Sequence, residues 1–277
     1  MQFLTKAETD FLEALAIYKF LTNPQIEALG VKKGAPNVRQ FTSKFMVKYA
    51  GIIERTSMGV RAQAGKIPHL YYLTPKGAEF VAETLEIDPE SIKFPAPQAV
   101  ASFRDYDHRV STIDFFISLR LWAISQGFEV LFTDAYFDKI GANRGTEKLR
   151  AKTKIDTGTA YIIPDGAGML ETPERKHLFL LEVYNGHDTK RVLEQLEKHR
   201  IAISEGSPSL KYNFDRGHTV AVVFDSVEAK NAVLKRMQET PTFQRFLIHF
   251  KFRAIADFKD SFYDDWELFD GSKVNFI

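Results

Sequence analysis

Two carboxylates, Asp165 and Glu182, are the residues of this chain whose types and surroundings are best suited to chemistry. Asp165 follows a proline after a short apolar stretch, and Glu182 lies in the apolar run Leu178–Val183. We predict that these stretches are paired β-strands, the first over Tyr161–Ile163, so that the two carboxylates converge at one rim of a sheet. Neighbouring carboxylates raise each other's pKa unless a divalent cation lies between them. The pattern predicts a Mg²⁺ or Mn²⁺ site; in the alternative, Asp165 begins a turn and Glu182 is a solvated strand end.

The composition is that of a folded protein with apolar cores. The chain has 277 residues, which suits one large domain or two ordinary ones, and 44% of them are hydrophobic. It contains no cysteine, which excludes disulfides, thiolate zinc sites and a cysteine nucleophile. There is no Walker sequence and no dinucleotide-binding glycine motif. No apolar run is long enough to span a membrane, and the N-terminus lacks the basic region of a signal peptide, so we expect a cytoplasmic protein without a membrane partner.

Residues 1–88 are predicted to form a winged helix-turn-helix domain. Thr5 and Glu8 have the spacing of a capping box at the start of a first helix. Further helices are expected to begin at Asn23, at Asn37 and after Thr74, and strands are expected over Ile52–Arg55 and Leu70–Leu73. Three helices, a two-stranded wing and a closing helix are the order of elements in that fold.

Basic residues are concentrated in this predicted domain. Between Lys32 and Lys76 there are nine Lys and Arg residues and one acid, Glu54. A basic stripe on a recognition helix and wing predicts binding to double-stranded DNA, whereas a protein-contact surface or a solvated face is the alternative. The third helix would face the major groove, and the wing would reach phosphates or the minor groove. The residues expected to contact DNA are Lys32, Lys33, Arg39, Gln40, Ser43, Lys44, Lys48, Arg61 and Lys66.

A proline-containing stretch over residues 89–104 predicts a linker, and residues 105–277 predict one α/β domain. Residues 138–158 are basic and predict a loop or hairpin that either contacts the DNA backbone or is simply solvated. The helices of this domain are expected over Tyr106–Gln126, Asp188–Ser204 and Val227–Gln238, and its strands over Phe128–Phe132, the two carboxylate stretches, Thr219–Phe224 and Phe246–Ile255.

The resulting order, αβββαβ with an Asp after Pro on the second strand and a Glu on the third, resembles the PD-(D/E)xK restriction-endonuclease-like fold. With the winged helix in front, the chain resembles the replication-relaxation family, which includes the MobC-type relaxases of mobilisable plasmids. The stretches that carry the resemblance are Asp107-His108, Pro164-Asp165-Gly166, Glu182 with Gly186, and Gln195–His199.

The resemblance implies metal-dependent nicking of DNA at a transfer or replication origin of a plasmid or mobile element, together with accessory relaxosome proteins. Asp165 and Glu182 would hold the cation, and a lysine would position the attacking water. An E-x-K motif would place that lysine at position 184, where this chain has Tyr184, a residue for packing or, less favoured, a nucleophile. The remaining expected catalytic residues are Lys190, Gln195, Lys198 and His108. A catalytically inactive winged-helix regulator of replication or transcription, or a restriction enzyme, is the alternative.

Overall fold

The chain is a mixed α/β protein made of two compact units. The structure is a computed structural model that describes residues 4–61, 65–96, 105–141, 149–158, 160–259 and 261–277. Unit 1 spans Met1–Ile117 and unit 2 spans Ser118–Ile277. Within the described residues, no helix has the length and apolar character that crossing a membrane requires.

Unit 1 places three helices ahead of short antiparallel strands and a fourth helix. Its elements are α1 Lys6–Tyr18, α2 Asn23–Ala28, α3 Ala35–Lys48, β1 Ile53–Thr56, β2 Val60–Arg61, β3 Gly65–Lys66, β4 Leu70–Leu73 and α4 Pro75–Leu85. Strand β1 pairs with β4, and β2 pairs with β3. The predicted capping box is present, because Thr5 N donates to Glu8 Oε2 at 2.8 Å. Helix α3 begins two residues earlier than predicted, since Pro36 fits the first turn of a helix.

Aromatic residues on α1, α3 and β4 form the centre of unit 1. The rings of Phe11 and Phe45 meet edge to face at 5.4 Å, and Phe11 also contacts the ring of Tyr71. Thr42, on the same side of α3, is buried and its hydroxyl bonds to that of Tyr71 at 3.2 Å. The opposite side of α3 is left without core contacts and is exposed.

The division between the units falls inside α5, Tyr106–Ser125. The first half of α5 packs within unit 1, where Gln25 Nε2 donates to Asp114 Oδ1 at 2.8 Å and the Arg109 guanidinium lies 4.6 Å from the centre of the Phe20 ring. The predicted domain limits were 1–88 and 105–277 with a linker over 89–104. Residues 97–104 lie outside the described residues, so these limits stay predictions. Within the predicted linker, Ile92 is buried and Lys93 N donates to Ala16 O at 2.8 Å, which ties this stretch to unit 1.

Unit 2 is built on a seven-stranded sheet within the described residues, in the order β15-β14-β13-β12-β11-β10-β5. The elements after α5 are β5 Glu129–Ala135, β6 Lys139–Ile140, β7 Arg150–Ala151, β8 Ile155–Asp156, β9 Tyr161–Ile162, β10 Gly166–Glu171, β11 Lys176–Tyr184, α6 Thr189–Glu205, α7 Ser207–Lys211, β12 Thr219–Phe224, α8 Val227–Gln238, β13 Phe250–Ala254, β14 Trp266–Glu267 and β15 Lys273–Val274. Strands β5, β10 and β11 are antiparallel, whereas β11, β12 and β13 are parallel. Helices α6 and α8 lie in the crossovers that parallel strands require.

The predicted strand Tyr161–Ile163 is wrong in its pairing. It appears as β9, which pairs with β8, and the partner of β11 is instead β10, Gly166–Glu171. Two glycines near the start of β10 conceal it, because glycine has low strand propensity. Gly168 is required there, since a Cβ at this position would lie 2.3 Å from Cζ of Phe179. The last predicted strand also shortens, because a 3₁₀ segment over Pro241–His249 precedes β13.

The basic stretch over residues 138–158 forms short hairpin strands where it is described. Strand β6 pairs with β7, and residues 142–148 lie outside the described residues. Lys154 forms an ion pair with Asp156 at 2.6 Å, and Nζ of Lys154 lies 4.7 Å from the centre of the Tyr161 ring. This part of the prediction, a polar hairpin, is therefore confirmed, whereas its contact with DNA stays a prediction.

Candidate functional site

The register of β10 and β11 places Asp165 opposite Glu182. Gly166 is paired with Leu181, so Asp165, one residue before β10, falls opposite Glu182. The Asp165 carboxylate turns onto β11, where its Oδ2 accepts a hydrogen bond from Val183 N at 2.7 Å. The predicted convergence of the two carboxylates is thus present, although the strand that produces it follows Asp165 instead of preceding it.

Glu182 is buried and its carboxylate is bonded to a histidine on α6. Oε1 of Glu182 lies 2.5 Å from Nε2 of His199, and the two residues are 3% and 0% exposed. Burial lowers the pKa of His199 to about 4, while the Asp165 carboxylate acts in the opposite direction. We therefore assign a neutral ring at pH 7 whose Nε2–H donates to Glu182, which leaves the Nδ1 lone pair buried and without a hydrogen-bond partner.

Sequence reasoning did not assign His199 a role of its own. The available signal is its position on the apolar side of α6, since Val192, Leu196 and His199 recur at helical spacing and all three are buried. A polar side chain in such a stripe needs a buried partner. The partner could not be predicted, because the wrong strand was paired with β11.

Tyr184, which stands where an E-x-K motif has lysine, packs into the core. Its ring lies 5.6 Å from that of Phe224, and its hydroxyl is buried without a hydrogen-bond partner. Burial raises the pKa of Tyr184 well above its usual value, and the Glu182 and Asp165 carboxylates raise it further. The phenol is therefore neutral at physiological pH, and a neutral phenol is a poor nucleophile.

The lysines predicted on the following helix lie on its exposed side. Lys190 and Lys198 are exposed, and Lys198 Nζ donates to the half-buried Gln195 at 3.3 Å. Gln195 is four residues before His199, so it lies on the side of α6 nearest the buried face. His108, the remaining predicted catalytic residue, is half-buried in the part of α5 that belongs to unit 1. The catalytic roles of these four residues stay predictions.

A buried acid and a lysine that sequence reasoning missed lie on the same face of the sheet as Asp165. Asp134 is paired with Ala167, two residues after Asp165, so the side chains of Asp134 and Asp165 point to one face and are diagonal neighbours. Asp134 is 5% exposed and its Oδ1 lies 2.9 Å from Nζ of Lys152. Lys152 is held in turn by Lys211, whose Nζ donates to the Lys152 carbonyl at 2.5 Å. Burial lowers the pKa of Lys211 to about 8.

The residues predicted to contact DNA divide into exposed and paired sets. On α3, the side chains of Arg39, Gln40, Ser43 and Lys44 are exposed, as are Lys33 and Lys66 outside it. Lys32 is exposed, with Nζ 5.7 Å from the centre of the Phe41 ring. Lys48 and Arg61 have carboxylate partners within unit 1, because Lys48 Nζ bonds to Glu8 Oε1 at 2.8 Å and Arg61 pairs with Asp107. The four residues exposed along one side of α3 are Arg39, Gln40, Ser43 and Lys44, which we call the α3 face.

The family model described as replication-relaxation matches residues 12–208, more than half of the chain. The chain belongs to the replication-relaxation family. Membership suggests a role in replication or relaxation. The matched range contains the α3 face, the Asp165–Glu182 pair and His199. No curated protein and no solved structure gives a significant match.

The donor chemistry of the Asp165–Glu182 pair in this replication-relaxation protein suits a hard divalent cation, because Mg²⁺ and Mn²⁺ prefer carboxylate oxygens. Throughout the described part of the chain, no group of three or more His, Asp and Glu residues is arranged to hold a metal. Mg²⁺ commonly binds through one or two carboxylates and completes its shell with water and substrate phosphate oxygens. A cation at this pair would take most of its ligands from outside the protein, and the predicted Mg²⁺ or Mn²⁺ site stays a prediction.

Proposed function

We propose that this replication-relaxation protein binds duplex DNA through the α3 face of unit 1 and acts at a replication or transfer origin. The observation that carries the proposal is the α3 face itself, on which two cations and two hydrogen-bonding side chains are exposed on one side of a helix whose other side is buried. The order of three helices, the β1–β4 strand pair and the β2–β3 strand pair matches the order expected of a winged helix and supports this proposal. In such a domain α3 is the helix that enters the major groove.

The side chains of the α3 face have separable roles in this proposal. Gln40 is suited to pair with adenine, and Arg39 and Lys44 are suited to guanine or phosphate. Lys33 and Lys66, exposed elsewhere in unit 1, would contribute to phosphate binding. Lys48 and Arg61 contribute less, because their charges already face Glu8 and Asp107.

The test is fluorescence anisotropy with a duplex from the candidate origin, repeated over a series of salt concentrations. Lys44→Ala is expected to weaken binding to all sequences and to reduce the slope of log affinity against log salt by about 0.9 for one lost phosphate contact. Gln40→Ala is expected to relax discrimination at one base pair, by about 1–3 kcal/mol. Arg236→Ala on the exposed side of α8 is the control and should leave both quantities unchanged. If Lys44→Ala and Gln40→Ala both bind like wild type, α3 is not the DNA-binding helix.

A second candidate function is metal-dependent nicking of that DNA by unit 2. The observation that favours it is the Asp165–Glu182 pair on neighbouring strand positions, with Lys152 held beside Asp134 on the same face. A bound Mg²⁺ or Mn²⁺ would stabilise charge on the scissile phosphate and lower the pKa of an attacking water.

The protein groups around the pair would orient the reacting parts. The bond from Val183 N fixes the Asp165 carboxylate, and the bond from His199 fixes that of Glu182. Lys152 would balance charge on the phosphate by exchanging its Asp134 partner for a phosphate oxygen, because Tyr184 stays neutral. Accessory relaxosome proteins are the expected partners of such an activity.

Nicking is tested on supercoiled plasmid carrying the candidate origin, with Mg²⁺, with Mn²⁺ and with chelator. Asp165→Asn and Glu182→Gln are expected to abolish nicking while the anisotropy assay shows DNA binding unchanged, and Lys152→Met should reduce nicking by at least tenfold. Metal-dependent relaxation by wild type with this variant pattern supports the enzyme. Tight binding with no nicking in any metal, with the accessory proteins present, assigns the chain to the catalytically inactive regulators of replication or transcription.

A further inference from the structure

A cavity of about 360 Å³ opens at the N-terminal ends of the parallel strands β11, β12 and β13. Among its lining residues are Arg175 and His177 at the start of β11, Arg216 and His218 before β12, and His249 and Lys251 at the start of β13. It lies away from the Asp165–Glu182 pair, because His177 and Glu182 are five residues apart on one strand, which is about 17 Å.

The lining of this cavity is cationic. Arg175, Arg216 and Lys251 are joined by Lys176, and no Asp or Glu is among the described residues that line it. Two carboxylates on the hairpin between β10 and β11 act on these residues, because Glu171 lies 3.8 Å from Lys176 and Glu174 raises the pKa of His177. Four cations around one opening repel one another when no anion is bound. They therefore attract an anion, which reduces this repulsion.

Three histidines, His177, His218 and His249, line the cavity. His218 is 3% exposed, and its Nε2 is buried without a hydrogen-bond partner. His249 Nδ1 lies 2.9 Å from the His218 carbonyl and donates to it. A buried polar atom with no partner is costly unless a ligand or water satisfies it.

Burial and the neighbouring cations lower the pKa values of His177 and Lys251 in the cavity. Burial lowers the pKa of His177 to about 4, and Arg175 and Lys251 lower it further. Burial and Arg175 together lower the pKa of Lys251 to about 8, so that its ammonium remains protonated at pH 7, where it donates to the Asn275 and Phe276 carbonyls. The cations are thus crowded in a way that a bound anion would relieve.

We propose that this cavity is a binding site for a phosphate group carried by a small ester or by a DNA end. The guanidinium groups of Arg175 and Arg216 match the oxygens of a phosphate in charge and planar geometry. The His218 ring is part of the cavity wall and keeps one buried nitrogen, Nε2, without a hydrogen-bond partner. A volume of about 360 Å³ accommodates a phosphate with a small attached group such as a nucleoside.

The proposal is tested by isothermal titration of the full chain with inorganic phosphate and with thymidine monophosphate at low ionic strength. Wild type is expected to bind phosphate at one site, and Arg175→Ala and Arg216→Ala are each expected to weaken binding on the order of tenfold. Arg236→Ala, which removes an exposed arginine from α8 outside the cavity, should bind like wild type. Absence of phosphate binding by wild type, or arginine variants that bind as wild type does, would overturn the proposal.

His218→Leu separates a ligand-binding role from a packing role. Because the variant removes a buried polar atom without a partner, its thermal stability is expected to stay the same or rise while phosphate binding falls at least several-fold. Equal phosphate binding in this variant and in wild type would contradict a role for His218 in the site.

The source of the phosphate is distinguished by two further titrations. Binding of thymidine monophosphate more tightly than inorganic phosphate, lost in Arg216→Ala, identifies a small phosphate ester. A preference for 5′-phosphorylated over unphosphorylated duplex, lost in the same variant, identifies a DNA end. Either result supports the site, and neither depends on Asp165 or Glu182.

Discussion

Glu182 is both a candidate metal ligand and a member of a buried hydrogen-bonded pair. Glu182 is 3% exposed, and its carboxylate accepts a hydrogen bond from the neutral His199 ring. A metal ligand, in contrast, is expected to face the substrate. Removing one member of a buried hydrogen-bonded pair leaves the other unsatisfied, whereas removing both can be close to neutral. A double-mutant cycle therefore measures how far this pair is structural.

We predict that His199→Leu lowers the free energy of unfolding by about 2–4 kcal/mol, because the Glu182 carboxylate is left buried without its donor. The double variant Glu182→Leu/His199→Leu should be more stable than His199→Leu alone. Urea unfolding of the wild type, both single variants and the double variant measures these differences. His199→Gln, which keeps a donor, is the control and should lose less; destabilisation in the double variant equal to the sum of the singles would rule the pairing out.

Asp114 is a second residue whose charge is constrained by burial. Its Oδ1 accepts from Gln25 Nε2 at 2.8 Å, yet burial raises the pKa of Asp114 to about 6, against the lowering effect of that bond. The folded state therefore holds the proton more tightly than the unfolded state. This contribution to stability is complete below the unfolded pKa of about 3.8 and is lost as the pH rises through about 6.

We predict that Asp114→Asn raises the melting temperature at pH 7 and has little effect at pH 4, where Asp114 is mostly protonated. The gain at pH 7 is on the order of 1–3 kcal/mol, since asparagine keeps an oxygen for Gln25 and has no charge to bury. Thermal unfolding of wild type and variant from pH 4 to pH 7 tests this. A variant that is less stable than wild type at pH 7 would show that the ionised carboxylate is stabilising.

At the scale of helices and strands, the sequence predicts an element correctly where its apolar residues recur regularly. It fails where glycine interrupts that apolar pattern. Strand Thr219–Phe224 and helix Val227–Gln238 have their predicted bounds, because one is a continuous apolar run and the other is amphipathic. Strand β10 was missed because Gly166 and Gly168 lower its strand propensity. The reason for Gly168 lies on the neighbouring strand, in the ring of Phe179, and a local pattern carries no information about that contact.

The same limit applies to the candidate site. Asp165 and Glu182 were identified from their local context, a proline turn and an apolar strand. His199 and Lys152 were not, because their partners, Glu182 and Asp134, are 17 or more positions away and are set by sheet register and helix packing. Residues that act through long-range pairing are recognised only once the pairing is known.

We predict that Gly168→Ala destabilises unit 2 by about 2–4 kcal/mol, since the added Cβ would lie 2.3 Å from Phe179 Cζ and 3.0 Å from the Phe132 carbonyl. Phe179→Leu removes the far end of the ring, so Gly168→Ala/Phe179→Leu should lose less stability than the two single changes added together. Urea unfolding of the three variants measures the coupling. Strict additivity would show that the ring is not what excludes a side chain at position 168.

At the scale of the whole molecule, the net charge conceals the features that matter for binding. The formal charge is +1, yet two cations are exposed on the α3 face in unit 1 and four line the cavity in unit 2. We propose that each of these two places binds a phosphate, the first on a duplex and the second on a small ester or a DNA end. An overall balance of charge therefore does not argue against nucleic-acid binding.

Helix α5 is shared between the two units. The chain divides into these units at Ile117, inside α5, whereas the linker predicted over residues 89–104 stays a prediction. Phe115, Phe116 and Ile117 are consecutive and all buried, which requires contacts around the helix and not along one stripe. Trp122, in the second half of α5, stacks on Tyr263 of unit 2 at 5.1 Å.

We predict that a fragment ending at residue 96 is less stable than one ending at residue 117. The shorter fragment lacks the part of α5 that contacts Phe20 and Gln25, and it also lacks the buried side chains of Tyr106 and Ile113. Losing several buried side chains costs about 1.5–3 kcal/mol each, which is a large share of the stability of a small domain. Circular dichroism during heating compares the two fragments. If both melt at the same temperature, the α5 contacts do not stabilise unit 1, and its domain ends before α5, as the composition predicts.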